Sequence, residues 1–218
     1  MATDSSKPDR TGHGSVWLLP ATGPQAGLRR GVIYELFLLG ELMSGPLHGY
    51  LLREILNRIL GPFRQMSWGA LYPLIHRLEQ AGMIVPDPPP PETAAAERRD
   101  GRPRHSFRIT DLGKQRFTAL MDGSGTSPAD EPELFVLKLN YFGHISRVQQ
   151  ASILHRYYDH LQIEADYLQT AQQGVTVRAG IPDGERRYIL RMLNYRLHGL
   201  RAQQVWIAEE IGAVAGPG

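Results

Sequence analysis

The sequence predicts a mainly α-helical chain with one small β-hairpin, in which a short-helix N-terminal half carries the hairpin and a C-terminal half consists of long helices. Three observations predict it. The run Ser67-Trp-Gly-Ala-Leu-Tyr-Pro-Leu-Ile-His-Arg-Leu-Glu-Gln-Ala-Gly-Met-Ile84 places Leu71, Leu74, Ile75 and Leu78 at i, i+3, i+4 and i+7, the apolar stripe of a half-buried helix. Two short β-prone segments, Met83-Ile-Val85 and Ser106-Phe-Arg-Ile109, bracket a stretch ending in Gly101-Arg-Pro-Arg104, as strands bracket a hairpin loop. Beyond residue 130 the pattern is purely helical, with apolar residues three and four apart.

Each element follows in order. Residues 1–28 are rich in Gly, Pro, Ser and Thr, the composition of a flexible arm; Val16-Trp-Leu-Leu19 is an apolar island within it. Val32, Leu36, Leu39 and Met43 predict a helix over 29–43, ended by Ser44-Gly-Pro46, because Pro cannot continue a helix and Gly suits the turn. A second helix is expected from Leu47, with Leu51, Leu52, Ile55, Leu56 and Ile59 on one side, up to Gly61-Pro62. Ser67 is a natural N-cap for the third helix and Gly82 its C′ residue. Thr110 or Asp111 caps a fourth helix running to about Met121.

Residues 122–130 have linker composition. Glu131-Pro132 opens a helix to about Phe142, with Pro in the tolerated first turn. Ser146 caps a long helix to about Gln173 that carries Ala151, Leu154, Tyr158, Leu161, Ala165 and Leu168, and 174–184 breaks it. The last helix carries Leu190, Leu193, Leu197, Leu200, Gln204, Ile207 and Ile211. Such heptad-like helices either pair with each other or offer a second seam to another copy, and a homodimer is the expectation. Gln204 either fixes the register of that seam or lies at its solvated edge. The domain plan is thus an arm (1–28), a hairpin-bearing domain (29–121), a linker (122–130) and a helical dimerisation domain (131–214).

Composition removes several function classes. A formal charge of +2 excludes a polycationic tail, while a pI near 9.0 leaves room for a local basic face. Without cysteine there is no disulfide, thiolate metal site or Cys nucleophile. No stretch reaches the ~18–20 apolar residues of a membrane span, and the polar start lacks a secretory signal, so a soluble, cytoplasmic protein is expected. His155, Asp159, His160 and Glu164 share one helix. Neither a His-Glu-x-x-His signature nor a Gly-rich phosphate loop accompanies them, and a solvated helix face is the expectation. No catalytic residue, metal or cofactor is predicted, and the chain is not expected to be an enzyme.

Helix, strand, basic loop, strand, helix is the order of a winged helix-turn-helix, which offers one helix to the major groove and one loop beside it. With its apolar stripe inward, the third helix turns Gly69, Pro73, His76 and Gln80 outward, flanked by Tyr72 and Arg77. Small residues permit close approach, and polar ones reach base edges or phosphates. Ser67, Gly69, Tyr72, His76, Arg77 and Gln80 are therefore the expected DNA contacts on this helix; Arg77 suits a guanine or a phosphate. Read alone, each is an ordinary solvated position; the adjacent wing favours DNA. Within the wing, Arg102 and Arg104 beside the rigid Pro103 are the expected contacts, whereas Arg98 and Arg99 are expected to be solvated. Pro73 is expected to bend its helix, Trp68 to pack at the core edge, and Tyr50 to serve either the core or a phosphate.

The C-terminal helices are enriched in aromatics, with Tyr157, Tyr158, Tyr167, Tyr188, Tyr195 and Trp206. Rings with polar tips suit planar or amphipathic ligands. Tyr158, Tyr195 and Trp206 are the candidate effector-binding residues, with burial in a dimer core as the alternative.

These residues resemble the PadR-like family of winged helix-turn-helix transcriptional regulators. The resemblance is carried by Ile33-Tyr-Glu-Leu-Phe-Leu-Leu39, Ser44-Gly-Pro-Leu-His-Gly-Tyr50, Ser67-Trp-Gly-Ala-Leu-Tyr-Pro-Leu-Ile-His-Arg-Leu78, Gly101-Arg-Pro-Arg104 and Arg108-Ile-Thr-Asp-Leu-Gly113. It covers about residues 30–121 and extends to the two-helix tail by pattern only. Two departures are the long wing between Pro86 and Gly101, with Pro88-Pro-Pro-Pro91, and the arm before Arg29. The resemblance implies a homodimeric repressor that binds double-stranded DNA at a palindromic promoter site and is released by a small hydrophobic or phenolic effector. A winged-helix adaptor that binds proteins instead is the alternative.

Overall fold

The computed structural model describes residues 25–60, 67–87, 106–123 and 131–216, with backbone alone for residues 25–30 and for Leu60. Helices α1 (Gln25–Leu42), α2 (Gly49–Leu60), α3 (Trp68–Gln80) and α4 (Asp111–Met121) surround a small sheet of β1 (Leu47–His48), β2 (Ile84–Asp87) and β3 (Ser106–Ile109). There follow α5 (Glu131–Leu139), a single 3-10 turn at Phe142–His144, and the long pair α6 (Arg147–Val177) and α7 (Asp183–Ala215). The mainly helical fold with a β-hairpin wing is as the sequence predicts. The helix α1 starts at Gln25, so residues 25–28 extend it rather than the arm; residues 1–24 lie outside the described part.

The sheet has one strand more than the predicted hairpin. Its order is β1-β3-β2, all antiparallel, with Leu47 opposite Phe107 and His48 opposite Ser106. The second helix accordingly begins at Gly49, not Leu47. Two residues carry no period-2 signal of their own, and β1 exists only because β3 has a free edge to pair with.

The core runs continuously from α1 to α7. Leu36, Phe37, Leu38 and Leu39 are all fully buried, so α1 is enclosed on every side rather than amphipathic. The one buried charge among its described side chains, Glu35, is matched by Arg116 of α4, whose Nε donates to Oε1 at 2.7 Å. That bond holds the Arg116 guanidinium more firmly protonated than usual. Nearer its end α1 has Gly40, and the ring of Tyr141 lies directly on it: a Cβ there would stand 2.5 Å from Tyr141 Cζ. The Tyr141 hydroxyl reaches the Phe37 carbonyl at 3.2 Å and Glu41 Oε1 at 3.0 Å. Burial is the main reason both this phenol and the Glu41 carboxyl are pushed above their usual pKa values.

In the C-terminal half, Ser146 caps α6 with a complete capping box involving Gln149. The helix does not stop at Gly174 but continues to Val177, since one interior Gly costs only about 1 kcal/mol while packing on α7 continues. The chain turns between Arg178 and Pro182, where the Arg186 guanidinium donates to the carbonyls of Val175, Thr176, Arg178 and Ile181. The predicted fifth helix is shorter than expected, ending at Leu139.

The two seams face each other within one chain. Leu154, Leu161, Ala165 and Leu168 of α6 and Leu193, Leu197, Leu200 and Ile207 of α7 are buried. Polar ties run alongside: Tyr157 to Gln203 at 3.0 Å, Gln204 to Gln162 at 2.9 Å, Arg196 to Glu164 at 2.5 Å and Gln172 to Asn194 at 2.8 Å. No described helix is long and apolar enough to cross a membrane.

Lys138 of α5 is fully buried, and its Nζ has no hydrogen-bond partner. Burial, aided by the neighbouring Arg156, lowers its pKa to about 8 against the weaker pull of Glu131 and Asp122. Between pH 8 and the usual lysine value of 10.5, the unfolded chain therefore holds a proton that the folded one does not, and stability rises with pH. Lys138→Met should be more stable than the wild type at pH 7, by on the order of 3 kcal/mol, with the gap closing as pH rises from 8 to 10.5; urea titrations at several pH values check this. Gly40→Ala should cost about 1–3 kcal/mol in the same assay, because the Tyr141 ring must move.

Candidate nucleic-acid interface

Helix α3 buries Leu71, Leu74, Ile75 and Leu78 and turns its other side to solvent. Ser67, Gly69, Tyr72, Pro73, His76, Arg77 and Gln80 are all exposed, so the outward set expected from the stripe shares one face. Within it the Gln80 amide donates to His76 Nε2 at 3.0 Å, and Glu79 stands 4.0 Å from the same ring. Pro73 sits inside the helix; lacking an N–H, it leaves the Gly69 carbonyl without its helical donor on the exposed side.

Both ends of α3 are fixed, though not wholly as predicted. Ser67 occupies the N-cap with extended backbone angles, but its hydroxyl makes no capping bond. Its carbonyl instead accepts from the Ala70 and Leu71 N–H groups at 3.1 and 3.2 Å, which leaves the hydroxyl exposed. At the other end Gly82 takes a φ of +69°, the left-handed value that glycine adopts without strain. Met83 N then bonds Leu78 O and Gly82 N bonds Glu79 O, both at 2.9 Å, which is the Schellman closure.

That turn also seats the wing. Thr110, the N-cap of α4, donates its hydroxyl to the Gly82 carbonyl at 2.7 Å and accepts from Gly113 N at 3.2 Å. The end of β3 is thereby tied to the end of α3. At the base of the wing Ser106 Oγ donates to the Asp87 carbonyl, and Arg108 lies 3.6 Å from the Asp87 carboxylate. Arg98, Arg99, Arg102 and Arg104 belong to the tip and lie outside the described residues.

A second group lies at the start of α3, and the sequence alone did not point to it. Trp68 is half-buried; its ring centroid is 5.2 Å from that of Tyr72, in a stacked pair, and 6.3 Å from that of Tyr50. The guanidinium carbon of Arg53 stands 4.4 Å from the Trp68 ring centroid and 5.9 Å from that of Tyr50. Tyr50 and Tyr72 are 64% and 60% exposed, so Tyr50 is not a core residue. One signal was available, since Tyr50 and Arg53 are three apart on one helix and must share a side. That Trp68 meets them is tertiary information.

The candidate effector residues are not brought together around a cavity. Tyr158 is half-buried on α6, while Tyr195 and Trp206 of α7 are 81% and 42% exposed. Tyr195 and Trp206, 11 residues apart, face the same way but stand ~16 Å apart along the helix. A cleft of about 340 Å³ lies elsewhere, where Gly40, Glu41, Ser44 and Ile55 meet Tyr141 and His144. Among the described residues, no three His, Asp or Glu side chains gather as for a metal; of the set on α6, Glu164 is held by Arg196 and the His160 ring lies against Tyr157.

Helices packed around a three-stranded sheet, with an exposed third helix tied to a wing, define a winged helix-turn-helix. Residues 38–119, which span the winged-helix segment of this chain, match the Transcriptional regulator PadR-like family. The chain is also similar to Bacillus subtilis PadR in complex with operator DNA, at 19% identity and a TM-score of 0.35 over 84% of this chain and 99% of that one. PadR of the same organism in complex with p-coumaric acid gives 17%, 0.32, 84% and 99%. The PadR-like regulator BC1756 from Bacillus cereus gives 17%, 0.32, 83% and 97%. At these values the structural likeness carries no argument. No curated protein matches the chain.

The cap geometry predicts an asymmetry. Ser67→Ala should change the unfolding free energy by less than about 0.5 kcal/mol, whereas Thr110→Ala should cost about 1 kcal/mol or more. Chemical denaturation of the two variants checks this.

Proposed function

We propose that the chain is a DNA-binding transcriptional regulator, a repressor that occupies a palindromic promoter site as a homodimer and leaves it when a small hydrophobic or aromatic effector binds. The observation that carries the reading is the exposed face of α3 (Ser67, Gly69, Tyr72, His76, Arg77 and Gln80) standing over a buried stripe and tied to the base of a wing whose tip supplies Arg102 and Arg104. Such a face mixes base-reading and phosphate-binding groups. In a two-fold dimer the two α3 helices enter major-groove turns about 10 base pairs apart, or a multiple of that.

Dimerisation is supported by what the α6–α7 pair leaves exposed. With the seams consumed inside one chain, Ile163, Tyr167, Tyr195, Val205 and Trp206 remain at the surface, large apolar groups that a second copy would cover. An effector site built from Tyr158, Tyr195 and Trp206 requires the second copy to close it, since Tyr195 and Trp206 stand ~16 Å apart along α7 and are exposed. An effector acts by preferring one arrangement of the dimer over another, to the extent of its differential affinity.

Fluorescence anisotropy against the DNA upstream of the chain's own reading frame and against a scrambled duplex, across a salt series, tests the reading. Preferential binding to the upstream duplex is expected, with a steep salt slope that Arg102→Ala/Arg104→Ala makes shallower by about 0.9 for each phosphate no longer neutralised. A phenolic acid such as p-coumaric acid is expected to weaken that binding. Absence of binding even at low salt would overturn the DNA reading in favour of a protein-binding adaptor. Sedimentation of Tyr195→Ser/Trp206→Ser should show monomer where the wild type shows dimer.

A further inference from the structure

We propose that Arg53 binds a backbone phosphate of duplex DNA, with its guanidinium held in place by the face of Trp68, whose ring also meets those of Tyr50 and Tyr72. The proposal rests on the DNA-binding reading above and adds a contact outside both α3 and the wing tip.

Arg53 is a cation that no described carboxylate pairs. Among the described residues it makes no hydrogen bond and no ion pair. The adjacent carboxylate, Glu54, is engaged by Arg58 at 2.5 Å. The Arg53 Nε is buried and lacks any acceptor, although a buried donor left unpaired costs about 1–3 kcal/mol. Its contacts are the rings of Trp68 at 4.4 Å and Tyr50 at 5.9 Å. A ring against the face of a guanidinium restrains its plane and leaves the N–H fork at its edge, the geometry that takes two phosphate oxygens at once.

The surroundings fit a phosphodiester. Trp68 is the first residue of α3, so the fork lies beside the start of the helix whose exposed face carries the expected contacts. Tyr50 and Tyr72 are mostly exposed and present phenol tips able to donate to a phosphate oxygen. Held by packing rather than by an ion pair, the guanidinium reaches DNA with little side-chain entropy left to lose. A contact of this kind positions the helix and carries no base information. Arg53 therefore contributes affinity and register, not sequence choice.

The test uses the full chain with Arg53→Gln, Arg53→Lys and Trp68→Leu, the upstream and scrambled duplexes, a salt series and thermal unfolding. For Arg53→Gln the expected result is an equal loss of affinity on both duplexes, with the salt slope shallower by about 0.9 per bound protomer and no fall in melting temperature. Arg53→Lys should keep the slope and recover only part of the affinity, because the charge returns without the planar fork. Trp68→Leu should keep the slope and weaken both duplexes by freeing the guanidinium. An unchanged slope in Arg53→Gln, or a weakening confined to one duplex, overturns the proposal. If Arg53→Gln does not fold, modification of wild-type arginines by phenylglyoxal decides: protection of Arg53 by duplex supports the contact, and equal modification with and without duplex overturns it. Failure of the wild type to bind either duplex would instead remove the DNA reading itself, and this contact with it.

Discussion

One ring lying on one bare stretch of backbone joins the two halves of this protein. Tyr141 follows α5, in the C-terminal half, yet its ring covers Gly40 of α1 and its hydroxyl reaches Phe37 and Glu41. Its edge also meets Phe117 of α4, centroid to centroid at 5.9 Å. The contact needs a residue without a side chain on α1 and a long, polar-tipped ring opposite. Because α1 is enclosed on all sides, whatever holds α1 also sets α2, α3 and the wing. The long helices thus reach the α3 face through this junction and the buried residues around it.

The same economy of fastening recurs at the wing. One threonine caps α4, binds the turn that ends α3, and so fixes β3 against α3. On the exposed face, by contrast, the polar pairing among the described residues is between neighbouring side chains, as in Gln80 with His76. Such pairs exchange partners at small net cost when a groove replaces water. The scaffold is tied to backbone carbonyls, and the described side chains of the exposed face are not, which is the arrangement a binding surface needs.

What could be read in the sequence was local. The α3 stripe, the Gly82 turn, a cap at Thr110 or Asp111 and the Ser146 cap depend on residues within a few positions of one another, and all were legible, whereas the return bond from Gln149 that completes a capping box at Ser146 was not read. The strand β1 was not, because Leu47–His48 become a strand only beside Phe107 and Ser106, far along the chain. The heptad rhythm of α6 and α7 was legible, but their mutual burial within one chain was not, since periodicity does not name its partner. At the candidate interface the outward face of α3 followed from its inward stripe. The Ser67 hydroxyl did not, because a cap position does not dictate which way the hydroxyl turns. For Arg53 the sequence offered only its spacing from Tyr50, because the ring that holds its guanidinium belongs to Trp68, a residue of another helix.

The helix pair is also a mechanical object. Helix α6 has 31 residues and is therefore ~46 Å long, tied along its length to α7 and locked at the far turn by the fan of bonds from Arg186. A rod of this stiffness with its fulcrum near Tyr141 acts as a lever. A rotation of roughly 5° at the fulcrum sweeps the distal end through ~4 Å, given that length. In the opposite direction, a displacement of a few ångströms at the far end becomes only a few degrees of tilt at the fulcrum, a gearing that turns coarse motion into fine adjustment of angle.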